Sequence, residues 1–155
     1  MQAVVGIGAN LGDRLATMRA ALSDLSRFAQ VEKTSRVYAT APVGGPPQPE
    51  FLNAAARISY AGAPLDLLDA LLAVEATFGR VRVERWGPRT LDLDVLWIDG
   101  LALDSARLVV PHPRLHERAF AVLPLLELVP DARDPRTGAI YEVPSGSLRD
   151  TGMTL

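Results

Sequence analysis

The chain has 155 residues, 22% of them charged, a formal net charge of −2 and no cysteine. That length fits one domain over residues 1–155 with a sizeable core, while the near-neutral charge offers no electrostatic footprint for general nucleic-acid binding, and the missing cysteines exclude disulfides and thiolate metal sites. No apolar run approaches the roughly 18 residues of a membrane span, and no basic region followed by an apolar stretch opens the chain, so a cytoplasmic protein is expected.

Residues 3–7 form a short apolar run ending in Gly8 and predict a buried strand. Asp13 is placed to cap a helix whose stripe is Leu15, Met18, Leu22 and Leu25. Residues 31–39, with Val37 and Tyr38, predict a second strand. Residues 41–50 hold four prolines and two adjacent glycines and predict an irregular loop. Residues 51–60 read as a third strand. Pro64 suits the first turn of a second helix, with a stripe of Leu67, Leu71, Val74 and Phe78 and a stop at Gly79. Residues 91–98 predict a fourth strand, closed by a turn at Asp99 and Gly100. A third helix is expected from near Glu117 towards Leu126, kinked or ended by Pro124. Beyond Pro130 the chain turns polar, with a short strand at 140–143 and a loose tail from Ser145. The order β-α-β-β-α-β predicts an α+β, ferredoxin-like sandwich with a C-terminal helical and loop extension.

Chemistry concentrates in Arg85-Trp86-Gly87-Pro88-Arg89-Thr90-Leu91-Asp92-Leu93-Asp94. Residues i and i+2 of a strand share a face, so Asp92 and Asp94 are expected side by side, about 6–7 Å apart. Leu91, Leu93, Val95 and Trp97 then face the other way. Two carboxylates suit hard cations, and arginines carry planar donors matched to phosphate oxygens. Together they point to a nucleoside triphosphate and phosphoryl transfer. Alone, an Asp-x-Asp pair on a half-exposed strand is more often a solvated face, and an arginine cluster more often a solvated loop. Joined by Trp-Gly-Pro within ten residues, they make a far more specific string.

This run resembles the signature of the 6-hydroxymethyl-7,8-dihydropterin pyrophosphokinase family of folate biosynthesis. Gly8-Ala9-Asn10-Leu11-Gly12-Asp13-Arg14 is similar to that family's opening segment. Residues 40–53, ending in Phe51-Leu52-Asn53, resemble its pterin loop. Gly79-Arg80-Val81-Arg82 resembles the start of its catalytic loop. Val110-Pro111-His112-Pro113, followed by Arg118-Ala119-Phe120, resembles its late motif. The pieces fall in the family's order over roughly positions 4 to 130.

The resemblance implies a transferase that moves pyrophosphate from ATP to the pterin hydroxymethyl group, with AMP as leaving group and two Mg²⁺ ions as cofactors. Asp92 and Asp94 match the metal ligands and, with Arg80 and Arg89, the catalytic set. Arg82, Arg85, His112, Arg118, Arg107 and Glu75 match positions around ATP. Thr40, Val43, Gly44, Phe51, Asn53, Trp86 and Phe120 match the pterin slot, with the phenylalanines on the ring faces, Asn53 at the ring edge and Trp86 as a lid. The implied partners are these two small molecules, with neither nucleic acid nor membrane, and a monomer is expected.

Without the resemblance, His112 between two prolines is more often a capped turn, both phenylalanines are more often core, and Glu75 reads equally as a solvated break in its helix's apolar stripe. Three positions and the length of one segment depart from the family's pattern. Position 51 is Phe where many members carry Tyr, Ala9 replaces a frequent Ser, and Pro113 stands where some carry Tyr. The segment 79–89 is one residue shorter than in some relatives, which loosens the equivalence of Arg82. The short C-terminus leaves little room for a fused folate enzyme. Two rival classes stand beside this reading, an RNA-binding module on a ferredoxin-like sheet and a two-metal phosphodiesterase. The first is expected to alternate aromatic and basic residues on its central strands, where this chain has aspartates. The second needs no pterin slot.

Overall fold

The computed structural model describes residues 1–41, 47–78 and 90–155. Its elements are β1 (Gln2–Ala9), α1 (Arg14–Leu25), β2 (Gln30–Thr34), β3 (Arg36–Thr40), β4 (Phe51–Ser59), α2 (Pro64–Thr77), β5 (Asp92–Ile98), β6 (Leu103–Asp104), β7 (Val109–Val110), α3 (Ala119–Leu128) and β8 (Arg149–Thr154). The main sheet runs β5-β1-β4-β3-β8, with β2 also on β4, and every pairing is antiparallel. β6 and β7 form a separate small hairpin.

Both faces of the sheet are covered. On one, Val5 and Ile7 of β1, Leu52 and Ile58 of β4 and Leu93 and Val95 of β5 pack with Met18 and Leu25 of α1 and Leu67, Leu71 and Val74 of α2. On the other, Val4, Ala55, Leu96 and Trp97 pack with Val122, Leu125 and Leu128 of α3. Local signals place the first two helices. The Asp13 carboxylate accepts the Ala16 N–H at 3.1 Å, satisfying one of α1's open amides. Pro64 opens α2, and Asp66 Oδ2 accepts the Ala63 N–H at 3.2 Å.

Four expectations are corrected. The strand predicted at 31–39 is two strands, parted at Ser35. The register slips by one residue there, from Thr34 opposite Ala56 to Tyr38 opposite Asn53. Ser35 is fully buried, and its hydroxyl takes over the ladder: Oγ accepts the Ala55 N–H at 2.9 Å and donates to Arg36 O at 2.8 Å. Ser35→Ala leaves that buried amide without an acceptor and is expected to lower unfolding free energy by about 1–3 kcal/mol in a denaturant titration. An unchanged midpoint would mean that the strand break needs no side chain.

Trp97 does not share a face with Leu91, Leu93 and Val95. Val5 lies opposite Val95 but Val4 opposite Trp97, so β5 carries one extra residue. That bulge sends both Leu96 and Trp97 into the second core. Trp97 Nε1 donates to Arg133 O at 2.8 Å there.

Pro124 does not end the third helix, which runs on to Leu128. A proline inside an exposed helix costs about 3 kcal/mol. Here Val122, Leu125 and Leu128 are essentially fully buried, and each such side chain contributes about 1.5–3 kcal/mol, so burial wins.

The tail is not loose, and 140–143 is not a strand. Ile140 makes one isolated bridge with Arg133, while Tyr141 is buried in the second core. The last residues form β8 on the outer edge of β3. Thr151 Oγ1 donates to Val37 O at 2.7 Å, and the Arg19 guanidinium donates to Thr154 O at 2.8 Å.

Candidate active site

The register of β1 builds the floor of the site. Gly8 lies between Asn53 of β4 and Asp92 of β5, and Gly6 lies beside Asp94. Paired residues point to the same face, so the two half-buried carboxylates stand on one side of a strip without side chains, and Asn53 stands on the other. A side chain at either glycine would crowd its neighbours. A Cβ on Gly8 would come 3.0 Å from Asn53 Oδ1, and one on Gly6 3.2 Å from a Leu96 methyl. The sequence reading gave neither glycine a role. Their spacing two apart in a strand was the available signal, but only cross-strand register says what flanks them.

Asn53 is held by its neighbour, its amide donating to Thr40 Oγ1 at 3.1 Å. Phe51 opens β4, partly buried, beyond the segment 48–50. Two N-terminal residues tie that segment down. The fully buried Asn10 donates to Gln48 Oε1 at 2.7 Å, and the Arg14 guanidinium donates to Glu50 O at 2.7 Å. The opening motif therefore anchors the end of the loop segment that leads into Phe51.

The late motif closes the carboxylate side. The His112 N–H donates to Leu96 O at 2.9 Å, stitching this segment to β5. Its Nδ1 accepts the Arg114 N–H at 3.2 Å. Burial, then the nearby Arg118 guanidinium, push the imidazole below its usual range, opposed by Asp92. The ring is therefore largely neutral at pH 7, and with Nδ1 accepting, its proton sits on Nε2 as a donor. Burial also lowers Arg118, with Arg114 adding to it and Asp94 and Asp92 opposing. These influences place Asp92, Asp94, His112 and Arg118 within one electrostatic neighbourhood. The Arg118 guanidinium also lies 5.6 Å from the ring centre of Phe120, at the start of α3.

Beside Asp94 and His112 opens a cleft of about 260 Å³ between α2, β5 and the β6–β7 connection. Leu68, Ala106 and Pro113 give it apolar walls, and Arg107 stands at its rim, ion-paired with Asp69. Glu75 is not solvated. It is 2% exposed on α2, and its Oε2 accepts the Leu93 N–H at 2.8 Å. Val43, Gly44, Arg80, Arg82, Arg85, Trp86 and Arg89 lie outside the described residues.

The donors suit Mg²⁺. Among the described residues no group of three His, Cys, Asp or Glu ligands is gathered. Two half-buried carboxylates on one strand face, one of them lining an open cleft, match a cation that takes its remaining oxygens from phosphates and water, as Mg²⁺ does, and not a closed all-protein cage.

Against known proteins, the sequence profile of the 7,8-dihydro-6-hydroxymethylpterin-pyrophosphokinase family matches residues 4–130. The chain belongs to this family. Relatives named 2-amino-4-hydroxy-6-hydroxymethyldihydropteridine pyrophosphokinase include one from Synechocystis, 44% identical over 138 residues, covering 88% of this chain and 70% of the relative. Another, from Pseudomonas aeruginosa, is 45% identical over 133 residues, covering 84% of this chain and 82% of its own length. Among solved structures, an HPPK-DHPS in complex with substrates superposes with a TM-score of 0.70 at 12% identity, over 90% of this chain and 42% of that one. At that identity the likeness concerns the fold alone, and the chain spans less than half of that protein's length. The matched residues 4–130 run from β1 to just past α3, so every described part of the site lies within the family's span. β8, at the sheet edge, lies outside it. No helix among the described residues is long and apolar enough to cross a membrane.

Proposed function

We propose that this chain transfers pyrophosphate from ATP to the hydroxymethyl group of 6-hydroxymethyl-7,8-dihydropterin, giving AMP and the pterin diphosphate in folate biosynthesis. The observation that carries the reading is the strip formed by Gly6 and Gly8. It sets a carboxylate pair and its phosphate-seeking neighbours on one side, and an amide with an aromatic on the other, about one β-strand apart. Two ligands meeting across it would bring a polyphosphate up to a flat heterocycle. The membership of the family supports the same chemistry.

In this reading the hydroxymethyl oxygen attacks the β-phosphorus in line, and AMP leaves. The Mg²⁺ ions, two by analogy with other in-line displacements, would be held by Asp92 and Asp94 and would neutralise charge on the attacking and leaving oxygens. His112 offers its Nε2–H to a phosphate oxygen without adding net charge. Arg118 supplies a charged donor that its surroundings keep desolvated. Arg107, ion-paired with Asp69, keeps further guanidinium donors for nucleotide at the cleft. Asn53 offers both donor and acceptor to the pterin's aminopyrimidine edge, while Phe51 and Phe120 cover its faces. Arg80 and Arg89 act on the transferring group, Arg82 and Arg85 guide the polyphosphate, and Trp86, Val43 and Gly44 complete the pterin slot. We also read the core as ferredoxin-like. The order β5-β1-β4-β3, its antiparallel neighbours and the two helices on one face support that topology.

Incubation with ATP, Mg²⁺ and the hydroxymethyl-dihydropterin tests the proposal by its products. AMP with pterin diphosphate is expected, whereas ADP, or hydrolysis that ignores the pterin, would refute it. A second check separates the pterin slot from a generic nucleotide site. Phe120→Ala and Asn53→Ala are expected to weaken pterin binding by about 1–3 kcal/mol, through lost stacking and an unpaired polar edge, and to leave ATP binding nearly unchanged. Calorimetric titration of each ligand alone measures both. Equal losses for both ligands would mean that these residues only support the core.

A further inference from the structure

Glu75 is a carboxyl in the wrong solvent. It is buried on α2 among Leu71, Val74 and the first core, where a leucine would fill the volume without removing a polar group from water. Among the described residues its Oε2 accepts the Leu93 N–H at 2.8 Å, a bond that offsets part of that cost. The place of that amide matters. Among the described residues β5 is an end strand, paired in the main sheet with β1. Asp92 and Asp94 are register partners of Gly8 and Gly6. Leu93 lies between them, and since backbone polar groups alternate in direction along a strand, its N–H, bonded to Glu75, points away from β1 to the outer edge of β5. Glu75 meets it there from a helix fixed in the core by Leu67 and Leu71.

We propose that Glu75 is a positioning residue for the carboxylate pair. It pins the β5 backbone at Leu93, one residue from each aspartate, and so sets the spacing of the side chains that cation and phosphate meet. This rests on the reading of Asp92 and Asp94 as cation ligands. The bond makes α2 a strut behind the site, with the carboxylates on the opposite face of the strand from the Leu93 side chain. A shift of this backbone segment moves both aspartates together. Nucleotide contact is not required of Glu75 for this role.

The test uses the full chain with a non-hydrolysable ATP analogue, titrated with Mn²⁺ and followed by electron paramagnetic resonance of the free ion. Glu75→Leu is expected to raise the Mn²⁺ midpoint about tenfold or more, the scale seen when a residue supporting metal ligands is lost, while Glu75→Gln, which keeps an oxygen acceptor, stays within about twofold. Amide exchange at Leu93 should speed up in the leucine variant and stay slow in the glutamine variant. A folded Glu75→Leu with an unchanged midpoint overturns the proposal. If that variant does not fold, Glu75→Gln decides. An unchanged midpoint with a protected Leu93 amide supports the strut, and a raised midpoint with the amide still protected overturns it. Asp94→Asn separates the two readings. If it raises the midpoint and Glu75→Leu does not, only the role of Glu75 falls. If neither does, the cation site has failed and the strut with it.

Discussion

Asp92→Ala and Asp94→Ala are each expected to leave a folded protein with almost no pyrophosphate transfer. Both side chains are half-buried, Asp94 at the cleft, and lie outside the two hydrophobic cores, so thermal unfolding should shift little. Activity should fall because each carboxylate is assigned a share of the charge that steadies the transferring group. Removing one preorganised electrostatic partner from an active site lowers kcat by about 10²–10³-fold, and a lost cation adds to that. Asparagine variants keep the shape and lower the charge, so they should fall between alanine and the native residue. Assays across a range of Mg²⁺ concentrations decide the matter. Near-normal turnover by both alanine variants at ordinary Mg²⁺ would take the carboxylates out of the mechanism and leave the strip beside Gly6 and Gly8 without its proposed purpose.

Arg80→Ala and Arg89→Ala are expected to act on the transition state more than on bound ATP. Their assignment comes from the sequence resemblance. An arginine that meets charge developing on a phosphoryl group can be worth about 10³–10⁵ in rate. Each variant should therefore lose most of that factor in kcat with a much smaller change in the affinity for ATP. Single-turnover kinetics beside direct nucleotide titration separates the two. If affinity falls by the whole factor while kcat holds, the arginines anchor ground-state nucleotide and contribute nothing specific to the transfer. A lysine at either position keeps the charge but not the planar pair of donors, so incomplete rescue by lysine is the matching expectation.

Part of the candidate site's geometry was legible because its signals are local. Asp92 and Asp94 share a face through the period of two that any strand imposes. Asp13 caps α1 through a bond spanning three residues, and the stripes Leu15–Met18–Leu22–Leu25 and Leu67–Leu71–Val74 follow from 3.6 residues per turn. None of this needs a partner from elsewhere in the chain. The order of the motifs added the family, because the spacing of chemistry-bearing residues is itself a property of the sequence.

The rest was decided by contacts between residues far apart in sequence. Ser35 interrupts a predicted strand because its hydroxyl meets Ala55, 20 residues on. Trp97 turns to the second face because β5 bulges against β1. The tail becomes β8 because the edge of β3 offers open backbone groups, which its own composition of Asp150, Gly152 and Thr154 does not announce. Pro124 stays inside α3 because the helix buries its apolar residues on a sheet that no window of ten residues contains. Glu75 looked like a flaw in an amphipathic stripe, and its partner, the Leu93 amide, belongs to another element. Each is settled by burial or by a backbone hydrogen bond across the fold, and both terms are larger than the local preferences they override. The sequence by itself determined the two amphipathic helices, most strands of the main sheet and the family, and marked the candidate residues for chemistry. The tertiary structure decided register, edges and the faces on which those residues meet.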